Sequence, residues 1–273
     1  MSTSVSAYDS FLRIAPYIRM IHWVGLGHEP TMLCMIYFAY QGYIQWNLHM
    51  LLHSGLITLV AAPITMSFIM HRYFSHRAFK TTRIFQFILG ILSAFAYQGG
   101  PVWWGDIHRM HHKFSDRPGD PHSQTVDGFW LTMFFWYKPG VLTNSYYRTP
   151  KQFRDCPEMI LLDMMSGVSI IFGTMYLVTT QWSFTHAFYY VYVPSIVGAI
   201  NVIYFNVKYH PKDGAPDGEC KATDFKYSKT AMFFGENLHK HHHSHPGLLK
   251  RPGIDFVYWL VAYPLLKLGV IWE

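Results

Sequence analysis

Three groups of histidines carry the chemistry open to this chain. They are His71-Arg-Tyr-Phe-Ser-His76, His108-Arg-Met-His111-His112 and His239-Lys-His-His242-His243, within a chain that holds 17 histidines in 273 residues. On a helix, positions i, i+3 and i+4 share one face, so the second and third groups each aim three imidazoles at one point. The i, i+5 spacing of the first fits a straight helix less well and predicts a helix end. Together the eight imidazoles exceed the three or four protein ligands of a usual zinc site, so two metal ions are the simpler account. Neutral imidazole suits iron, zinc, copper and nickel alike, and spacing does not choose among them.

The elements that must hold these groups show in where charge is missing. Of the residues, 51% are hydrophobic and only 14% charged, against about 25% charged in a typical soluble domain. A mean hydropathy of +0.09 does not separate a large soluble enzyme from a membrane protein. The distribution of charge does. Basic residues fall in three blocks, two up to Arg19, eleven from Arg72 to Arg154 and nine from Lys208 to Lys267. Each of the two gaps is about 52 residues long, room for two membrane helices of roughly 20 residues and a turn.

This reading places membrane helices over about 31–46, 49–70, 159–180 and 185–206, with turns at Gln45–Asn47 and Gln181–Ser183. Positive-inside logic puts every basic block on the cytoplasmic face, with Tyr43, Trp46 and Trp182 near the opposite interface. The histidine groups then share the cytoplasmic side, in a helical cap formed by residues 71–158 and 207–273. A fifth apolar stretch, Ile84–Ala96, is too short to span and is expected at the interface or beneath the cap. The fold expected is all-α: an integral membrane protein of one domain over 1–273, with four transmembrane helices in two hairpins and a helical cytoplasmic cap holding a dimetal histidine site.

Composition excludes disorder, collagen and a secreted disulfide scaffold. Cys34, Cys156 and Cys220 make no disulfide framework and are expected to be reduced and structural or incidental. The segment Met1–Tyr8 is polar and lacks the charged-then-apolar pattern of a signal peptide. A formal charge of +6 favours anionic membrane lipids and an acidic partner. Nucleic acid is not expected, because no nucleic-acid motif is present and the basic residues border apolar spans.

At the histidine groups the chain resembles the membrane-bound fatty-acid desaturases of the stearoyl-CoA desaturase type. The resemblance rests on the first group with its four intervening residues, on HRMHHKFSD followed by GDPH, and on GENLHKHHHSHP. It runs from about the second membrane helix to the C-terminus. It implies four membrane helices beneath a cytoplasmic cap with a non-haem centre of two iron ions. Carried over position by position, the implied ligands are His71, His76, His108, His111, His112, His239, His242 and His243. The pattern Asn206-Val-Lys-Tyr-His210 implies His210 as a ninth ligand and Asn206 reaching a metal through water. Asp120 and His122 match the family's Asp-Pro-His segment and are implied to orient ligating imidazoles by hydrogen bonds.

Gln98, Trp103 and Trp104 sit where the family lines its acyl tunnel. Ser67 and Phe68, one turn before His71, are expected to bound the tunnel's far end, with Phe68 limiting chain length. His241 points away from the face of its neighbours on helical geometry and is left out of the ligand set. His245-Pro-Gly superficially resembles the haem-binding motif of cytochrome b5, but it lacks the second glycine and too little chain follows for such a domain. A separate electron donor, of the cytochrome b5 or ferredoxin type, is therefore expected.

A saturated acyl chain offers no polar handle at its middle for acid–base or nucleophilic catalysis. Removing hydrogen there needs a strong oxidant, which iron activating dioxygen supplies. No Ser/His/Asp arrangement, phosphate loop or Rossmann fingerprint offers a rival chemistry. The resemblance thus implies that dioxygen and two electrons turn adjacent methylenes into a cis double bond, the ninth carbon being the default position. Acyl-CoA members tend to carry an arginine where this chain has Asp106, and their basic pair after the Asp-Pro-His segment is reduced to Lys138, beside Trp136 and Tyr137. Polyphosphates favour Arg and Lys clusters, so an acyl-lipid substrate stands open beside acyl-CoA. The membrane would be the endoplasmic reticulum in a eukaryote and the cytoplasmic membrane in a bacterium. Two alternatives remain at this level: a di-iron hydroxylase of lipids or alkanes, and a non-redox zinc-binding membrane protein. The second would place metal-binding groups at bilayer depth, where His49 and His53 are the candidates.

Overall fold

The computed structural model describes residues 7–26, 28–96, 98–143, 146–165 and 168–273. Met1–Ser6, and residues 166–167 of the expected third span, lie outside the described residues. The principal helices are α1 (Ala7–Leu26), α2 (His28–Tyr40), α3 (Leu48–Ser75), α4 (Arg83–Leu92), α5 (Pro101–Phe114), α6 (Pro157–Met164), α7 (Val168–Gln181), α8 (Phe184–Tyr209) and α9 (His239–Ser244). Short helical turns and loops join them. One antiparallel strand pair sets Lys80 opposite Trp272 and Thr81 opposite Ile271, tying the end of the chain to the segment after the first histidine group.

Among the described residues two helices are long and apolar enough to cross a membrane: α3, with 28 residues and a mean hydropathy of 1.6, and α8, with 26 residues and 1.5. At about 1.5 Å per residue each exceeds a hydrocarbon core of about 30 Å. Leu52, Leu56, Leu59 and Val60 on α3, and Ile200 and Tyr204 on α8, are left exposed by the protein. The two helices pack side by side. They are tied where both begin, because Gln45 N–H donates to Thr185 Oγ1 and Asn47 N–H donates to Tyr189 Oη, each at 3.0 Å. Asn47 also caps α3, its side-chain oxygen accepting from Met50 N–H, as N-cap asparagines do.

The other two expected spans come out shorter. The helix expected over 31–46 ends at Tyr40, and Gly42 follows with φ +78°, a left-handed conformation that glycine adopts without steric cost. The expected span over 159–180 is divided between α6, of eight residues, and α7, of 14. Among the described residues α2 runs for 13 residues and α7 for 14.

Two aromatic-rich cores flank the C-terminal residues of α3. One gathers Phe68, Tyr73, Phe74, Phe79, Phe153, Met159 and Ile160. The other gathers Met66, Met70, Trp103, Trp104, Ile107 and Trp136 with Ile203 and Val207 of α8. On α4, Gln86, Leu89 and Gly90 are buried while Ile84, Ile88 and Ile91 face outward. Its outer face is therefore the apolar one, the arrangement an interfacial helix presents to lipid.

Candidate metal centre

The first histidine pair depends on an unusual stretch of helix. From Pro63 to Ser75, α3 is wound with i→i+5 hydrogen bonds, and His76 N–H continues the pattern onto the His71 carbonyl at 3.2 Å. A turn closed at i+5 rather than i+4 brings His71 and His76 to the same side, with ring centroids 4.9 Å apart. The spacing that fitted a straight helix poorly is thus met by a wider turn, a form that recurs at functional sites.

The second group rides on α5, whose start is fixed from outside. Asp163 of α6 accepts from Trp103 N–H at 2.8 Å, serving as an N-terminal cap supplied by another helix. A Cβ at Gly100 would lie 2.0 Å from Asp163 Oδ1, and one at Gly105 would lie 2.6 Å from the Phe74 carbonyl oxygen. Both glycines therefore exist to let backbones approach. The contact at Gly105 sets α5 directly against the end of α3. Along α5, His108, His111 and His112 then face the centre. The third group sits on the short α9, and His210 stands where the chain leaves α8.

These elements bring nine imidazoles into two sets. His71, His76, His108, His112 and His242 form one, and His111, His210, His239 and His243 the other, with the donor atoms of each set within 4.8 Å of one another. Within the first set Nε2 atoms approach at 2.9 Å (His71–His242), 3.1 Å (His76–His108), 3.1 Å (His108–His112) and 3.0 Å (His112–His242). Within the second, His239 Nε2 lies 3.0 Å from that of His210 and 3.2 Å from that of His243.

The donor set fits a cation on a specific ground. A neutral imidazole carries one N–H, and three of the nine place it on Nδ1 against a carboxylate. His71 Nδ1 lies 2.8 Å from Glu236, His111 Nδ1 3.0 Å from both oxygens of Asp120, and His210 Nδ1 2.7 Å from Asp116. Their Nε2 lone pairs therefore point inward, and that of His111 is buried without a hydrogen-bond partner. Lone pairs converging at about 3 Å repel unless a cation lies between them. Burial, and then neighbouring imidazoles and Arg251, hold His76, His108, His112, His239, His242 and His243 well below the ordinary histidine value. They are thus neutral near pH 7, the form that binds metal. Burial by itself would raise the Asp120 and Glu236 carboxyls. His111 at the first, and Arg251 with His71 at the second, hold them below the usual carboxylate range instead.

Asp120 accepts from His111 Nδ1. His122 stacks on His111, with ring centroids 4.5 Å apart, and burial together with His111 pushes it down to about 3. Asn206 donates from Nδ2 to the His122 carbonyl at 3.0 Å. Trp104 stacks on His108 at 4.9 Å and 9°, while Trp103 donates to the Val141 carbonyl and stacks on Trp136. Gln98 is buried. Ser67 donates to Glu236 at 2.7 Å, so it supports His71 through that carboxylate. Phe68 stacks on Phe79 at 4.8 Å, in the core of Tyr73 and Phe153. Met66 and Met70 are the α3 side chains that share the core of Trp103 and Trp104.

Sequence reasoning missed Glu236, Asp116 and Arg251. The two acids had a signal, since each lies within four residues of a histidine group in a chain with only 16 acidic residues. Arg251 had none. Among the described residues His49 and His53 join no group of metal-binding side chains, and His241 and His245 stack on each other outside both sets. Cys156 is buried, and Cys220 lies 3.7 Å from His243 Nδ1. Asp106 pairs with Arg109 and Thr149, and Lys138 with Asp127.

A family model described as fatty acid desaturase matches residues 32–249. A hex-5-enoyl-[acyl-carrier protein] acetylenase from Moorena producens is 41% identical over 103 residues, covering 34% of this chain and 32% of that protein. An acyl-CoA 5-desaturase from Anemone leveillei is 35% identical over 132 residues, 42% of this chain and 40% of that protein. A chloroplastic palmitoyl-monogalactosyldiacylglycerol delta-7 desaturase from Arabidopsis thaliana is 44% identical over 73 residues, 27% of this chain and 19% of that protein. The chain thus spans well under half the length of these curated relatives in the regions that match.

Proposed function

The chain belongs to the fatty acid desaturase family, and from that premise we propose that it introduces a cis double bond into a saturated acyl chain at two iron ions held by its nine clustered histidines. The observation that carries the proposal is the division of those histidines into sets of five and four with inward-facing Nε2 atoms. Iron bound there would supply the oxidising power, drawn from dioxygen and two electrons, that hydrogen removal from unactivated methylenes requires. His71, His76, His108, His112 and His242 would hold one ion. His111, His210, His239 and His243 would hold the other, with Asn206 reaching it through water.

The remaining residues orient, exclude water and position substrate. Glu236, Asp120 and Asp116 fix the rotation of three ligand rings through Nδ1, which keeps Nε2 basic and aimed inward. In this proposal the acyl chain runs past Trp104, whose indole lies flat on His108, and along the buried side chains of Trp103, Gln98, Met66 and Met70. An apolar wall of this kind grips methylene groups and keeps bulk water from the oxidising site. Ser67 acts through Glu236. Phe68, which packs with Phe79, bounds the far side of that wall.

The proposed setting is a membrane. Four spans in two hairpins, built on α3 and α8, would support a cap whose histidines face the cytoplasm, in the endoplasmic reticulum of a eukaryote or the cytoplasmic membrane of a bacterium. A separate donor of the cytochrome b5 or ferredoxin type would deliver electrons. The acyl carrier is proposed to be a lipid or coenzyme A, and the named relatives differ in carrier. Asp106 and Lys138, at positions where a polyphosphate would call for cations, are each engaged within the protein, which favours the lipid. Expression in a desaturase-deficient host with an active donor, followed by mass spectrometry of the fatty acids, tests the proposal. A new cis-monounsaturated acid is the expected product. An alcohol would indicate the hydroxylase, and no oxidised product would overturn the assignment. His111→Ala should abolish product while leaving membrane insertion intact.

A further inference from the structure

We infer that the two metal positions are electrically unequal, and that the four-histidine set of His111, His210, His239 and His243 fills first and holds its divalent cation at least tenfold more tightly than the five-histidine set. The inference rests on the metal-binding reading above and adds an order of filling to it.

The four-histidine set is backed by two buried carboxylates without a cationic partner. Asp120 accepts from His111 Nδ1 and from the N–H groups of Asp116 and His122. Asp116 accepts from His210 Nδ1, from Ser123 Oγ and from Lys221 N–H. Every one of these donors is a neutral group or a ligand imidazole. Among the described residues no Lys or Arg side chain forms an ion pair with either aspartate, and the Lys221 ammonium turns away to Asp217 and the Lys212 carbonyl.

The five-histidine set is backed differently. Among the described residues one carboxylate, Glu236, meets an imidazole of this set, and it is paired with Arg251. The Nη2 of Arg251 lies 3.3 Å from Nδ1 of both His71 and His242. The other arginines beside the set are neutralised, Arg72 by Asp255 and Arg109 by Asp106. The nearby charges therefore sum to about zero on this side and about minus two on the other. In a buried site of low dielectric such a difference acts strongly on a divalent ion.

The five-histidine set does have one more imidazole, but that is a neutral donor. An outer carboxylate makes a ligating histidine more basic, and removing such a partner costs about 10–100-fold in metal affinity. Two of four ligands have that support on one side, and one of five on the other, where a guanidinium lies against the same ring. The balance favours the smaller set.

Anaerobic titration of the metal-stripped, full-length protein with Co2+, followed by visible absorption and calorimetry, tests this. Two binding phases separated at least tenfold in Kd are expected. His243→Ala should remove the tight phase, His76→Ala should remove only the weak one, and Asp116→Asn should weaken the tight phase about tenfold. Equal affinities would overturn the inference while leaving the two-metal reading intact. A tight phase that survives His243→Ala but is lost in His76→Ala would do the same. Uptake of fewer than two equivalents by the unmodified protein would overturn both.

Discussion

Gly105→Ala is the substitution that most directly links the packing of this fold to its histidine centre. Gly105 is the point where α5 meets α3, and an added Cβ would lie 2.6 Å from the Phe74 carbonyl oxygen and 2.9 Å from its carbon. Both are backbone atoms, so no side chain can swing aside. Ordinary contact begins at 3.4 Å, which leaves about 0.8 Å for the helices to part. Helix α5 carries His108 and His112, and α3 carries His71 and leads into His76, all members of one set. Metal–ligand distances tolerate only about 0.2 Å, so that displacement exceeds what one ion can bridge. Overpacking of this kind costs about 1–3 kcal/mol of stability, and a misplacement near 1 Å costs on the order of 100-fold in rate. The expected result is a folded protein with a modestly lowered melting midpoint, fewer than two metal equivalents by mass spectrometry, and about 1% of the product. Gly55→Ala is the control. It lies on α3 with nothing within 4 Å of its added Cβ, and alanine's helix propensity should raise stability by up to about 1 kcal/mol. Two bound metals and full product from Gly105→Ala would refute the argument that this contact sets the ligand geometry.

Asp163→Ala should destabilise by about 3–5 kcal/mol, the usual cost of stranding one member of a buried pair, since Asp163 holds Arg19, Tyr146 and the first turn of α5; an unchanged unfolding midpoint in detergent would contradict it. Stripping the metals by chelation should lower stability by about 3 kcal/mol relative to protein with free metal at 100 times its Kd, and calorimetry before and after reloading reads this directly. Glu236→Gln should weaken metal binding at the five-histidine set about 10–100-fold, as read by competitive chelation, and unaltered binding would remove Glu236 from its assigned role. Met70→Ala should shift the chain-length profile of the products, because Met70 shares a core with Trp103 and Trp104. Phe68→Ala should cost about 3–5 kcal/mol as a core truncation, and a profile unchanged by it would take Phe68 out of the substrate path.

The grouping of the histidines was legible because most of them stand at short intervals, and short intervals survive in a linear sequence. The same holds for the charge-free stretches, since two of the four spans read from them, 49–70 and 185–206, fall within α3 and α8. Helix length was less legible. Gly42 ends α2 through a backbone conformation, and hydropathy does not register a dihedral angle. The i, i+5 interval between His71 and His76 was visible, but a wider helical turn and a helix end both satisfy it. Least legible were the partners of the histidines. Glu236 lies 165 residues from His71 and Asp116 94 residues from His210, so pairing them requires the fold itself.

Charge scarcity gives a reason for which residues accompany the histidines. Arg72 follows His71 directly, and its guanidinium grips both oxygens of Asp255 together with the carbonyls of Leu249 and Gly235. These acceptors flank the third histidine group on either side. Arg109 follows His108 directly and reaches the carbonyls of Phe74 and Ser75, just before His76. Arg251, after the third group, returns to Gly235 and Glu236, and Glu236 in turn reaches His71. Each arginine therefore joins the backbone or carboxylate of one histidine-bearing segment to another. Apolar packing would fill the same space at lower desolvation cost, but it slides, whereas a guanidinium forked onto fixed acceptors admits one registration. The proposed centre, which would draw nine nitrogens from four segments and place them to a few tenths of an ångström, would require that registration. Of the three, Arg72 and Arg109 sit one residue from a proposed ligand, where a rigid link most directly limits how far the imidazole beside it can move.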